Sequence, residues 1–124
     1  MRTCVTALLA FALSACATSQ PPNSGYVSAK ALWEQSKDRP DYSSYGAAFA
    51  KSQNERRLDE NSGCYEKGPG QKVELILVVN SDGVISEAHA DSATVKAECF
   101  KAAYLGVQMP VPPFSPYPML MQMN

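Results

Sequence analysis

The chain has 124 residues, 45% of them hydrophobic and 19% charged, with a formal net charge of -1 at pH 7. That balance excludes bulk electrostatic attraction to nucleic acid or anionic lipid, and the length is that of one domain. Lys and Arg are scattered; the one adjacent basic pair, Arg56-Arg57, sits beside Asp59-Glu60 and reads as a solvated helix end.

In chain order, Met1 to Cys4 form a cationic tip and Val5 to Leu13 a short apolar run. The run is far below the ~20 residues that span a bilayer, so residues 1–15 read as a signal peptide. Its end, Leu13-Ser14-Ala15-Cys16, resembles the lipobox of bacterial lipoproteins. The resemblance implies that Cys16 becomes the diacylglyceryl-bearing, acylated first residue of the mature protein. An ordinary secretory signal cut nearby is the competing reading. Each buried acyl methylene adds ~0.8 kcal/mol of membrane affinity, so several chains make a lasting anchor. Ala17 stands where an Asp tends to retain Gram-negative lipoproteins in the inner membrane. By that resemblance the protein is expected on the outer membrane, facing the periplasm. Removal of Arg2 with the leader takes the net charge to about -2.

Processing also settles the cysteine arithmetic. Of four cysteines, Cys4 leaves with the leader and Cys16 is lipidated, which leaves Cys64 and Cys99. An even pair outside the cytoplasm is most simply a disulfide. A reactive or metal-binding pair is the alternative, although the chain has no Cys-x-x-Cys spacing and no clustered His. Closure of that loop would stabilise a small domain by ~3 to 4 kcal/mol.

Residues 16–40 read as a lipidated tether, rich in Ser, Pro, Asn and Gly, with Pro21-Pro22 and Asp38-Arg39-Pro40 as breakers. Within it, Ser28 to Gln35 suits a turn or two of helix that docks Trp33 as a packing anchor. The domain proper is expected over residues 41–124. It opens with a helix from Asp41 to about Leu58, capped by Asp41 or Ser43, with Tyr45, Ala48, Phe49 and Ser52 along one face. Asn61-Ser62-Gly63 breaks it, Cys64 to Lys67 offers a further turn, and Gly68-Pro69-Gly70 leads onward.

A hairpin follows. Val73 to Val79 and Val84 to Ala90 are apolar and β-branched runs separated by Asn80-Ser81-Asp82-Gly83, whose Asp-Gly supplies the tight reversal. Val73, Leu75, Leu77 and Val79 then share a face with Ser86, Ala88 and Ala90, small partners that leave room for a helix. Ile85 falls out of that alternation, which predicts a bulge just after Gly83. The next helix runs from Val95 to Leu105 behind N-cap candidates at 91–94 and ends at Gly106. Its expected inward stripe is Val95, Cys99, Ala102 and Ala103, which brings Cys99 to where a cysteine of the preceding segment reaches it. Met109 to Pro118 is proline-dense and extended, and Met119 to Met123 forms a last strand.

The order of these elements resembles the C-terminal domain of TonB-type proteins, in the cysteine-containing variety known from AgmX/PglI-like proteins. That variety has a Cys-Tyr-Glu lead-in before the first strand and an acidic-Cys pair in the helix, here Cys64-Tyr65-Glu66 and Glu98-Cys99. The likeness covers Cys64 to Asn124. It departs at the family's aromatic-x-aromatic-Pro helix exit, here Val107-Gln108-Met109-Pro110, and the Gln-Tyr-Pro-like receptor segment is missing. The implied fold is α+β: a small TonB C-terminal-like ββαβ sheet with a packed helix, here with an additional N-terminal helix. A TonB transducer also has a transmembrane helix and a long Pro-rich span; this chain reads as having neither, so force transmission is not expected.

The leading expectation is a non-enzymatic periplasmic adaptor that binds an envelope protein by strand addition. Edge strands equally allow two copies to pair as a homodimer. Catalysis has slight support: Glu87, His89 and Asp91 alternate along one strand and read as polar residues on a solvent face, with no catalytic role. Two alternatives come from other classes. Met119, Met121 and Met123 place three thioethers on one strand face, the ligand type that selects Cu(I), against the plainer reading that they fill a core. An inhibitor or immunity lipoprotein is the third class. No cofactor and no metal site are expected.

Overall fold

The computed structural model describes residues 24–124. The signal peptide, Cys16, Ala17 and the first part of the expected tether lie outside the described residues.

Val73–Val79 (β1) is the centre of the fold: an aliphatic strand, broken only by Glu74, with its five C-terminal residues all buried. It pairs antiparallel with Ile85–Ala90 (β2) on one side and Tyr117–Met123 (β3) on the other, in the order β2-β1-β3. The protein is therefore α+β, with one three-stranded antiparallel sheet. A central strand buried on both faces needs a cover on each.

One cover is the main core. Val73, Leu75, Leu77 and Val79 of β1 meet Ile85 and Ala90 of β2 and Tyr117 and Met123 of β3. Onto them pack Tyr45 and Phe49 of Ser43–Arg56 (α2), and Ala97, Phe100 and Tyr104 of Val95–Tyr104 (α4). The short helix Leu58–Asn61 (α3) and a 3-10 turn over Cys64–Lys67 connect α2 to β1. Thr94 caps α4 as expected, its hydroxyl accepting from the Ala97 N–H at 3.1 Å.

Hairpin register follows the alternation: Leu75 faces Ala90 and Leu77 faces Ala88. The bulge falls at Ser86, because Val79 pairs with Ile85 and Val78 with Glu87. Ile85 thereby turns into the core, fully buried, while Ser86 stays exposed. A bulge at the edge lets an out-of-phase apolar residue keep its burial.

The second cover comes from within the stretch expected as tether. Ser24–Ser36 (α1), inside the stretch read as a leash, is a 13-residue helix that crosses all three strands on the other face. Ile76 and Val78, 0% and 2% exposed, lie on that face. Without α1 they would meet water. The helix contains the turn or two expected over Ser28 to Gln35 and extends beyond it on both sides; of its residues only Ala29 and Ser36 are fully buried.

The inward stripe of α4 also differs from expectation. Val95 is 69% exposed and Ala102 is exposed, whereas Lys96, Ala97, Phe100 and Tyr104 are buried. Two large aromatic rings outweigh the smaller residues in setting which way the helix turns. Cys99 remains at the flank of that face, paired with Cys64 as a disulfide, Cα atoms 5.5 Å apart.

Candidate functional site

An exposed strand edge is a binding feature only where its backbone groups are unpaired, so the site is built from hydrogen-bond phase. The Asp91 N–H donates to the Glu74 carbonyl at 3.1 Å, which directs the backbone groups of Glu74, Ile76 and Val78 toward β2. Leu75, Leu77 and Val79 therefore bond to β3. Opposite the even-numbered residues stand Pro118, Leu120 and Gln122, in register with Val78, Ile76 and Glu74. Their backbone groups must point away from β1, along the outer edge of the sheet.

The two outer edges differ. On β2 the backbone of Ile85 is taken: its N–H donates to Val107 at 3.0 Å and its carbonyl accepts from Gly106 at 2.8 Å. A bulge follows at Ser86, and Glu87 places a charge on the strand. Bulge, charge and partial cover are the usual devices that blunt an edge. On β3 all seven residues pair with β1 without a break, and none is charged. The outward groups of Leu120 and Gln122 take no partner from the described residues. Only the first position is closed. The Pro118 nitrogen has no hydrogen, and the Pro118 carbonyl accepts from the Tyr42 hydroxyl at 2.9 Å.

Tyr42 is held from both faces of the sheet. Its ring stacks on Tyr117 at 4.8 Å and 7°, and its hydroxyl accepts from the Trp33 indole N–H on α1 at 3.1 Å. Burial raises the Tyr42 pKa, so the hydroxyl keeps its proton and remains a donor. Neighbouring phenols pin the proline-rich crossing: Tyr45 donates to Pro110 at 2.6 Å and Tyr117 to Tyr42's carbonyl at 2.6 Å.

At the other end of β3, α1 is fastened to the sheet by charge. Lys30 meets the Glu74 carboxylate at 2.6 Å, Tyr26 donates to the same oxygen, and Gln122 approaches the second at 3.4 Å. Burial works against ionisation of Glu74, but these hydrogen bonds outweigh it and hold the carboxyl below its ordinary range. Trp33 is half-buried, its ring flanked by the Lys30 and Lys37 ammonium groups at 4.8 and 4.7 Å.

The residues singled out in the sequence are brought together unevenly. Glu87 and His89 meet at 3.1 Å, but the face is not free solvent: His89 lies against Gly25 of α1, where a Cβ would come within 2.7 Å of Nδ1. Asp91 is turned aside to accept from the Glu74 N–H at 3.1 Å. Among the described residues no group of three or more His, Cys, Asp or Glu side chains is placed to hold a metal ion. Met119, Met121 and Met123 do share a face, and it is the core face: Met123 is 3% exposed and the other two pack against the core. Tyr42, Lys30 and Glu74 were not singled out by sequence reading. The nearest signal was Glu74 itself, a lone charge in an aliphatic strand, which calls for a partner.

No helix among the described residues is long and apolar enough to cross a membrane. No family model, curated protein or solved structure matches the chain.

Proposed function

We propose that this chain is a lipid-anchored envelope protein that works without catalysis, as a periplasmic adaptor that adds the outer edge of β3 to an extended segment of a partner protein. The anchor in this reading is acylated Cys16, and the domain is of the TonB C-terminal kind. Support for that kinship is the succession β1, β2, α4, β3 after Cys64 and the pairing of Cys64 with Cys99. The observation that carries the adaptor reading is the β3 edge: seven regular, uncharged residues whose outward donors and acceptors at Leu120 and Gln122 have no partner among the described residues. Such an edge gives affinity through main-chain hydrogen bonds, and side-chain pockets beside it give selectivity. The Met-lined face of the same strand is engaged in the core, which favours packing over Cu(I) capture.

Gln122→Pro tests the mechanism. The Gln122 N–H points outward, so proline deletes an edge donor without removing a bond to β1, a position strands tolerate. Gln122→Ala removes the same side chain and keeps the donor. Cross-linking of the full-length chain in the envelope fraction should yield a partner with wild type and Gln122→Ala and lose it with Gln122→Pro. Equal recovery from all three would refute strand addition at β3.

A further inference from the structure

We infer that Tyr42 gates the β3 edge and that the gate is latched by α1, so that full pairing of a partner strand with β3 and docking of α1 oppose one another. The inference rests on the adaptor reading above and concerns how that same edge is regulated.

The Pro118 carbonyl is the sole hydrogen-bonding group that position can offer an incoming strand, since its nitrogen carries no hydrogen. Tyr42 occupies it at 2.9 Å. Because that carbonyl points outward, the phenol reaching it stands where a partner backbone would run. A strand confined to Leu120 and Gln122 can pair with the gate closed. One that continues past Pro118 must displace the hydroxyl.

Displacement is felt by α1 through one residue. Trp33 donates to the Tyr42 hydroxyl at 3.1 Å and loses its acceptor when Tyr42 swings away. The helix it belongs to is lightly held. Of its own residues only Ala29 and Ser36 are fully buried, and beside the cover it gives Ile76 and Val78 its fastenings among the described residues include the polar ones at Glu74 and Tyr42. Segments with few buried apolar contacts are those that open locally, well before the whole fold. Release of α1 would in turn remove the Trp33 hold on the Tyr42 hydroxyl, leaving the stack on Tyr117, and uncover Ile76 and Val78 next to the growing sheet. Both sites bias one two-state element, which is the physical requirement for coupling between them.

Two conservative variants of the full-length chain test this, read by the same envelope cross-linking. Tyr42→Phe keeps the ring stacked on Tyr117 and removes the hydroxyl. Trp33→Phe removes the donor that latches Tyr42. Each should raise partner recovery about two- to ten-fold, the worth of one hydrogen bond, and the rise should vanish when Gln122→Pro is added. Hydrogen exchange of the Trp33 indole N–H should quicken in Tyr42→Phe. If Gln122→Pro abolishes cross-linking while Tyr42→Phe leaves recovery unchanged, strand addition stands and the gate is refuted. If Tyr42→Phe raises recovery and Trp33→Phe does not, the latch through α1 is refuted. If Gln122→Pro changes nothing, the adaptor reading fails and the gate falls with it.

Discussion

Lys30 of α1 and Glu74 of β1 lie 44 residues apart in sequence and meet at 2.6 Å, with Tyr26 donating to the same carboxylate oxygen. One half-buried carboxylate thus takes two of the helix's side chains and fastens α1 at this end of the sheet. The Glu74 carboxyl is held below its ordinary range, so its contribution is fully present above the unfolded-state carboxylate pKa of ~4.3 and is lost as pH falls through the folded value. Acidification should therefore detach α1 before the sheet unfolds. Trp33 is the sole tryptophan, so its emission reports the event. A red shift below about pH 4 that precedes loss of β-sheet circular dichroism is the expected result, with the pH dependence of that step lost in Glu74→Gln.

Alkaline pH should act on the opposite face. Burial pushes Tyr45 up to about 12 and raises Tyr104 and Tyr117 as well. Folded values above the unfolded ~10 mean that the stability they contribute is intact below about pH 10 and lost as pH rises through the folded values. Urea midpoints should fall steeply above about pH 10, and Tyr45→Phe should lessen the fall.

Cys64 is fully buried and Cys99 partly so, and the bond between them closes a loop with a sequence separation of 35. Loss of the bond in a Cys64→Ala/Cys99→Ala variant should cost ~3 to 4 kcal/mol in the chain-entropy model. Urea unfolding measures it. Reductant should weaken the wild type toward the variant and leave the variant unchanged.

How much of this was legible in the sequence varies with the range of the interactions. Hairpin register could be read because alternation is local and one face must be apolar, and even the bulge was foreshadowed by Ile85. Its position at Ser86 was not, since it depends on Gly106 and Val107 pairing with the Ile85 backbone from across the chain. The β3 edge was readable as a strand, but not as an open edge, because openness depends on strand order. Within residues 24–36 only the turn or two from Ser28 to Gln35 that docks Trp33 was legible; the rest of α1 was not, because Glu74 and Tyr42, which help dock it, lie far away in sequence and no periodicity announces them. The same holds for α4, where composition cannot tell that Lys96 is buried and Val95 is not.

Lys96 makes that last point testable. It is 0% exposed, donates to the carbonyls of Gly68 at 3.1 Å and Gln71 at 2.6 Å, and faces the Tyr65 ring at 5.5 Å. The ammonium thus fastens the loop that leads into β1. Lys96→Met keeps much of the bulk but takes the ammonium from both carbonyls: Gly68 keeps the Gln71 N–H at 3.0 Å, while the Gln71 carbonyl loses its donor, a loss that costs ~1 to 3 kcal/mol when the group is buried. The variant should be destabilised by more than a surface Lys67→Met control in urea unfolding, and the amides of residues 68–71 should exchange faster. Equal stability of the two variants would show that water replaces the ammonium.

Gly83 closes the hairpin at φ +84°, and its carbonyl accepts from the Met109 N–H at 2.8 Å. A Cβ there would run into the Met109 carbonyl oxygen, and the backbone conformation disfavours any L side chain. Gly83→Ala therefore strains the turn and pushes away the segment that delivers the chain to β3. Positive-φ strain alone costs about 1 kcal/mol or more, and displacement of Met109, 3% exposed in the core, adds to it. Gly106→Ala shares the positive φ of +83° but has nothing within 4 Å of the added carbon, so it isolates the backbone strain. Thermal unfolding should rank wild type above Gly106→Ala and Gly106→Ala above Gly83→Ala. Because Met109 leads into the strand whose outer edge is proposed to bind, only Gly83→Ala should also reduce cross-linking at that edge.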